Sequence, residues 1–186
     1  MKRKLTILGF GGSLRKGSYS KALLHATVKL APKGVLIETF DLEGIPFYNQ
    51  DLENGPPEKV KEFRDKIRAA DAILVVTPEY NRSIPGFLKN AIDWASRPAD
   101  NPALEGKPAA IISASTGMLG GAMAQYHLRH CFVFVDVHPV NYPETLVAHV
   151  DKKIDDKGRL VDKRTRVIIK ELLENLIAWT RQLQSS

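Results

Sequence analysis

The sequence predicts an α/β fold, a doubly wound sheet of five parallel strands with helices on both faces. Short apolar runs alternate with segments of helical periodicity along the whole chain. The runs are nearly continuous in apolar residues, as in parallel strands that are covered on both faces. The 186 residues contain neither an internal repeat nor a long linker, so we predict one domain over residues 1–186.

Five apolar runs are the predicted strands. The third run is apolar at every position, which favours a central place in the sheet. In chain order, the predicted strands are Leu5–Leu8, Val35–Phe40, Ala72–Val76, Ala109–Ile112 and Phe132–Val135.

Five further segments have apolar residues three and four positions apart, the spacing of a helix with one buried face. Pro56 and Pro57 open the second segment, and Pro32 and Gly34 close the first. Right-handed connections between the strands place such helices on both sides of the sheet. In chain order, the predicted helical segments are Leu23–Leu30, Val60–Ala70, Phe87–Ala95, Gly121–Arg129 and Ile168–Leu183.

Charge limits the classes of partner. The chain has 27 Lys and Arg against 21 Asp and Glu, a formal net charge of +6, without a dense basic tract. No nucleic-acid-binding module is recognisable, so we expect no nucleic-acid partner. The positive balance favours small anionic molecules.

We expect a location in the cytoplasm and no membrane partner. No run of about 20 mainly apolar residues is long enough to span a membrane. Lys2–Lys4 precedes an apolar run too short for a signal peptide, so we interpret this charge as solvated. Cys131 is the single cysteine, which excludes an internal disulfide and favours a reducing compartment.

Some residue types indicate chemistry that their spacing does not support. His127, His130, Cys131 and His138 lack the spacing of a metal motif, so we expect no metal. Ser115 lacks the preceding glycine of a nucleophile elbow, since Ser113 stands there.

Ligands of doubly wound sheets bind at the carboxyl ends of the strands. The candidate site is therefore formed by three loops, which follow the first, third and fourth predicted strands. We name them the first loop (residues 10–20), the second loop (77–86) and the third loop (113–121). These stretches are also rich in glycine and hydroxyl residues.

The first loop has the chemistry of a phosphate site. Glycines let backbone N–H groups point inward, and the following helix adds unpaired N–H donors and the positive end of its dipole. Ser13, Ser18 and Ser20 add hydroxyls, and Arg15 adds a forked cation. An ordinary turn that caps a helix is the alternative interpretation.

Two known phosphate motifs are absent from the first loop. A P-loop requires Lys after the glycine, but Ser18 follows Gly17. A dinucleotide fingerprint requires a small residue where Leu14 stands. The first loop therefore favours a single terminal phosphate.

The other two loops fit a planar ring. In the second loop, Pro78 restrains the chain, Tyr80 offers a flat face for stacking, and Asn81 can donate and accept hydrogen bonds. In the third loop, small residues allow close approach by a ring edge. A rigid surface loop in which Tyr80 covers the core, and a flexible third loop, are the alternatives.

Three motifs carry a resemblance to a known family. They are Gly12–Ser18, Pro78–Asn81 and Leu88–Trp94, which reads Leu-Lys-Asn-Ala-Ile-Asp-Trp. Together they resemble the flavodoxin-like NADPH-dependent FMN reductases, which include chromate-reducing and quinone-reducing flavoproteins and some azoreductases. The resemblance extends from Leu5 to the last predicted helix. It implies a strand order of 2-1-3-4-5.

The resemblance implies FMN as the cofactor and assigns a role to each loop. The first loop would hold the phosphate, the second would lie along the isoalloxazine ring, and the third would touch its far edge. Ser20 stands where the family usually has Asn, and Met123 where close relatives often have Arg. The implied cofactor-binding residues are Ser13, Arg15, Ser18, Tyr19, Ser20, Pro78, Glu79, Tyr80, Asn81, Ser115 and Gly117.

The implied reaction has two steps. NADPH or NADH would reduce bound FMN, and reduced FMN would then pass electrons to a small acceptor such as a quinone, chromate, an azo compound or a flavin. The flavin would carry the chemistry, so we expect no catalytic side chain. The alternatives are a flavodoxin-like electron carrier that uses a partner reductase and an interaction protein without a cofactor.

The resemblance also implies a homodimer or homotetramer. We expect the helix over Gly86–Arg97 to contribute to its interface, because Phe87 and Trp94 add more apolar surface than one helix stripe must bury.

Overall fold

A six-stranded parallel sheet forms the centre of the molecule in the computed structural model, which describes residues 4–185. The strand order is β2-β1-β3-β4-β5, and β6 also pairs with β4. The predicted doubly wound fold and its strand order are thus confirmed. The strands are β1 (Leu5–Gly11), β2 (Val35–Phe40), β3 (Ala72–Pro78), β4 (Pro108–Ala114), β5 (His138–Pro139) and β6 (Thr145–Val147).

Five α helices cover the two faces of the sheet, and all five predicted helical segments are confirmed. In the part of the chain described, the helices are α1 (Tyr19–Lys29), α2 (Glu58–Ala69), α3 (Gly86–Ala95), α4 (Ala122–Phe134) and α5 (Lys163–Ser185). Successive side chains of a strand point to opposite faces, so β1 sends Ile7 to one core and Leu8 to the other. Helices α1 and α5 pack with Ile7, whereas α2, α3 and α4 pack with Leu8.

The fifth predicted strand, Phe132–Val135, is wrong. Its residues complete α4, in which Phe132 lies one turn after Leu128 and is buried with it. Val133 and Phe134 are 83% and 87% exposed, a pattern that does not alternate as a strand would. The fifth position of the sheet is instead shared by β5 and β6, which pair with the two ends of β4.

Helix α3 anchors the segment before α2. The Trp94 indole N–H donates to the Pro46 carbonyl at 2.8 Å, and the Asn90 amide donates to the same oxygen at 2.9 Å. The Asn90 side-chain oxygen accepts from the backbone N–H of Tyr48 at 2.7 Å. Trp94 is 1% exposed and Phe87 is partly buried against the core, so these two side chains do not leave the spare apolar surface on which the expected interface of this helix rested. Helix α3 ends at Ala95 rather than at residue 97.

Three further expectations from the sequence concern Cys131, the charged residues 2–4 and membrane-spanning helices. Cys131 is partly buried against the core, and this burial raises the pKa of its thiol, as expected for a small packed side chain. Lys2 and Arg3, interpreted as solvated charge, lie outside the described residues, and Lys4 is exposed. No helix among residues 4–185 has both the length and the apolar character of a membrane span.

Candidate cofactor-binding site

The register of the central strands brings the three loops to one edge of the sheet. Gly11 pairs with Val76, and Thr77 pairs with Ser113, so β1, β3 and β4 end side by side. The backbone N–H of Gly12 continues this pairing and donates to the Val76 carbonyl at 2.8 Å. The predicted meeting of the loops at the carboxyl edge is confirmed.

The first loop leaves β1 in close contact with β3. A Cβ atom at Gly12 would lie 2.5 Å from Thr77 Oγ1, closer than a real Cβ packs, and 3.1 Å from Leu88 Cδ2, a tight contact. Thr77 is fully buried, and its hydroxyl donates to the Pro78 carbonyl at 2.9 Å. Glycine at position 12 therefore fixes the direction in which the first loop begins.

The first loop ends at the amino terminus of α1, where Ser18 is followed by Tyr19 and Ser20 in the first turn. Ser18 is the N-cap, and its hydroxyl accepts from the backbone N–H of Lys21 at 3.2 Å. Ser13, Ser18 and Ser20 are buried. The first turn of α1 contains no acidic residue, so its N–H groups and dipole present uncompensated positive potential.

Arg15 stands over this helix terminus. Its guanidinium carbon lies 5.3 Å from the centroid of the Tyr19 ring, a cation–π distance that orients the side chain. Arg15 has no acidic partner within ion-pair distance among the described residues, so its positive charge remains free for an anion.

The second loop contains a tight two-residue turn. The N–H groups of Tyr80 and Ser83 each donate to the other residue's carbonyl at 2.9 Å. Asn81 and Arg82, between them, have φ of 50° and 63°, the left-handed values that a type I′ turn requires. Tyr80 is 48% exposed, so its ring does not cover the core as the alternative interpretation required.

The Glu79 side chain joins the second loop to α4. Its carboxylate accepts from the backbone N–H groups of Met123 at 3.0 Å and Ala124 at 3.2 Å, in the first turn of the helix. Gly121, the N-cap, has no side chain to serve those donors and has φ of 83°. Sequence reasoning assigned Glu79 to the cofactor and missed this contact, because 44 positions separate the two partners along the chain.

The third loop is braced rather than free. The Ser115 hydroxyl accepts from the Gly117 N–H at 3.0 Å, and the Gly117 carbonyl accepts from the His149 N–H at 3.3 Å. Gly120 has φ of 60°, and a Cβ there would lie 2.8 to 3.0 Å from the backbone of residues 146–148. Residues 146–150 thus hold the loop, and nothing in the sequence indicated them.

The comparisons with known proteins agree with this architecture. The family model described as NADPH-dependent FMN reductase matches residues 5–152. A NAD(P)H-dependent FMN reductase of Pseudomonas aeruginosa is 50% identical, over 99% of this chain and 100% of its own. A 2-hydroxy-1,4-benzoquinone reductase of a Burkholderia species is 44% identical, over 91% of this chain and 93% of its own.

A solved structure has the same fold. FerB, a flavoenzyme NAD(P)H:(acceptor) oxidoreductase from Paracoccus denitrificans, superposes with a TM-score of 0.88 at 35% identity. The match covers 96% of this chain and 98% of that one.

The strand order and the helices on both faces define a protein of the doubly wound α/β class. Within that class, the chain belongs to the NADPH-dependent FMN reductase family. It is an oxidoreductase whose cofactor is FMN and whose reductant is NAD(P)H.

We predict that Glu79→Ala lowers the free energy of unfolding by about 1 kcal/mol, because α4 loses the acceptor for two N–H groups. Glu79→Gln keeps a side-chain oxygen and loses only the charge, so we expect a loss of about 0.5 kcal/mol. Urea unfolding of FMN-free protein measures both values. Glu105→Ala, at an exposed carboxylate, is the matched control. A parent-like stability of Glu79→Ala would contradict the capping role.

Proposed function

We propose that the protein reduces small planar acceptors, quinones above all, and that nicotinamide and acceptor occupy the same open site in turn. The observation that carries the proposal is the placement of an acid-free helix terminus beside an exposed aromatic turn at one sheet edge. The helix terminus suits a phosphate, and the aromatic turn suits a planar ring. The related benzoquinone reductase supports a quinone as the acceptor.

The first loop fits the phosphate of FMN. Buried Ser18 and Ser20 lie at the start of α1, buried Ser13 lies earlier in the loop, and exposed Arg15 supplies a cation without an acidic partner. The Arg15 guanidinium lies over the face of the Tyr19 ring, and this cation–π contact orients it. We therefore assign phosphate binding to Ser13, Arg15, Ser18, Tyr19 and Ser20.

The second and third loops fit the ring. Asn81 and Arg82 form the exposed tip of the left-handed turn, and Pro78 limits the movement of the strand end. The Glu79 carboxylate is held by α4, so its backbone remains for the cofactor. Ser115 and Gly117 form a short turn that is closed by their own hydrogen bond. We therefore assign binding of the isoalloxazine ring to Pro78, Glu79, Tyr80, Asn81, Ser115 and Gly117.

Bound FMN supplies hydride acceptance from a nicotinamide and electron delivery to an acceptor. The residues of the chain would bind and orient the cofactor. Backbone N–H groups of the loops would donate hydrogen bonds to the negative charge of the reduced ring, and no side-chain acid is assigned. Tyr80, Met118 and Leu119 are exposed around the loops, at 48%, 78% and 49%. This apolar rim suits quinones, azo compounds and flavins, while the positive charge suits chromate and NADPH.

We further propose that the protein works in the cytoplasm as a homodimer or homotetramer. The free thiol of Cys131, without any disulfide among the described residues, is consistent with a reducing compartment. One face of α4 leaves Met123, Tyr126, Val133 and Phe134 exposed at helical spacing. Such an apolar stripe is typical of a protein interface.

We predict that Arg15→Ala weakens FMN binding by about 1.5–3 kcal/mol, roughly ten- to hundredfold in Kd, because a charged contact to the phosphate is lost. Quenching of flavin fluorescence during titration measures the Kd. Lys61→Ala, at an exposed lysine of α2, is the control and is expected to bind FMN like the parent. An unchanged Kd for Arg15→Ala would show that the phosphate lies elsewhere.

We predict that the FMN-loaded protein oxidises NADPH or NADH with a small quinone and no partner protein, at about 1–1,000 turnovers per second. Tyr80→Ala is expected to reduce turnover about tenfold, the effect of losing one stacking contact, with little change in stability. Tyr80→Phe keeps the ring and should remain near the parent rate. If neither nicotinamide alone reduces the flavin within minutes, the protein is an electron carrier instead.

We predict that light scattering at micromolar concentration finds a dimer or tetramer. Phe134→Glu combined with Val133→Glu is expected to shift the mass to a smaller species, because charge on the exposed α4 stripe opposes its burial. Phe47→Glu, which is 85% exposed in the parent but lies off α4, is the control. A strictly monomeric parent would contradict the proposed assembly.

A further inference from the structure

A cavity of about 180 Å³ lies on the α1 and α5 side of the molecule, apart from the three loops. Its walls are the second half of α1, the first turn of α5 and the hairpin over residues 154–160. Ala26, Leu30 and Leu160 form an apolar part of the lining. The candidate cofactor site uses the opposite end of α1, so this cavity is a separate feature.

The remainder of the lining is basic. His25, Lys29, Arg159 and Arg166 contribute nitrogen groups, and no carboxylate lines the cavity. Arg159 is paired with Asp155, whose Oδ2 lies 2.7 Å from the guanidinium. Neither Lys29 nor Arg166 has an acidic partner within 4.0 Å among residues 4–185. The cavity therefore holds two uncompensated positive charges beside apolar surface.

The hairpin wall is formed in advance. Asp155 accepts from the backbone N–H groups of Lys157 at 3.0 Å and Arg159 at 2.8 Å, and from Arg159 Nε at 2.7 Å. These hydrogen bonds hold the pKa of the Asp155 carboxyl below its ordinary value, so the pair stays ionised at neutral pH. Gly158 turns the chain at φ of 70°, and Ile154 pairs with Leu160. This wall of the cavity is therefore ordered before a ligand binds.

We propose that this cavity binds a small organic anion, a carboxylate carried on a single apolar ring. Its volume is below the roughly 300–1,000 Å³ of sites for drug-sized ligands, and near the about 150 Å³ that accommodates benzene. Lys29 and Arg166 face the carboxylate, and Ala26, Leu30 and Leu160 cover the ring. A metal cation is disfavoured by the same charges.

The test uses benzoate as the probe and isotope-labelled, FMN-loaded protein in NMR titrations. Benzoate is expected to shift the amide signals of residues 25–30 and 158–166 with a saturable dependence on concentration. Benzyl alcohol, which has the ring without the charge, and inorganic phosphate, which has charge without the ring, are each expected to bind about tenfold more weakly.

Substitutions locate the site. Lys29→Gln combined with Arg166→Gln is expected to weaken benzoate binding at least about tenfold, since two charged contacts are lost. Lys61→Gln on α2 should leave it unchanged. Unperturbed signals outside the cavity show that the variants are folded. Non-saturable shifts, shifts confined to other residues, or parent-like binding by the folded double variant would overturn the proposal.

Discussion

The close approach of the first loop to β3 is the constraint on which the rest of the site depends. Gly12 lies where any side chain would collide with the Thr77 hydroxyl, and its N–H continues the sheet by bonding the Val76 carbonyl. This contact sets where the chain turns away from β1 and therefore where α1 begins. The serines that we propose for the phosphate, Ser13, Ser18 and Ser20, are buried, so packing against the core helps to set their positions.

The second and third loops are fixed by contacts that come from farther along the chain. Glu79 reaches α4, and His149 holds Gly117. A cofactor would therefore find its site largely formed before binding, which reduces the entropy lost on association. The left-handed φ values at Asn81 and Arg82 are local strain that these surroundings stabilise.

Local pattern was sufficient to predict the first four strands, the five helices and the edge where the loops meet. It failed at Phe132–Val135, where β-branched and aromatic residues imitate a strand although Leu128 and Phe132 follow the helical period. The true β5 and β6 are short, and β5 contains Pro139, so neither shows alternation. Within the site, glycine and hydroxyl residues were sufficient to indicate which loops are involved. The hydrogen bonds between Glu79 and α4 could not be predicted, because they depend on tertiary packing between distant segments of the chain.

The charge of the site follows from the same packing. Glu79 is the single acidic residue in the three loops, which also contain Arg15, Lys16 and Arg82. Because α4 takes up the Glu79 carboxylate, the negative charge is paired with a helix terminus rather than left facing the loops. The sheet edge is therefore more positive than its composition indicates. A positive edge attracts phosphate-bearing nucleotides and favours the electron-rich form of a bound cofactor, so under the proposed function the α4 cap would serve the cofactor site as well as the fold.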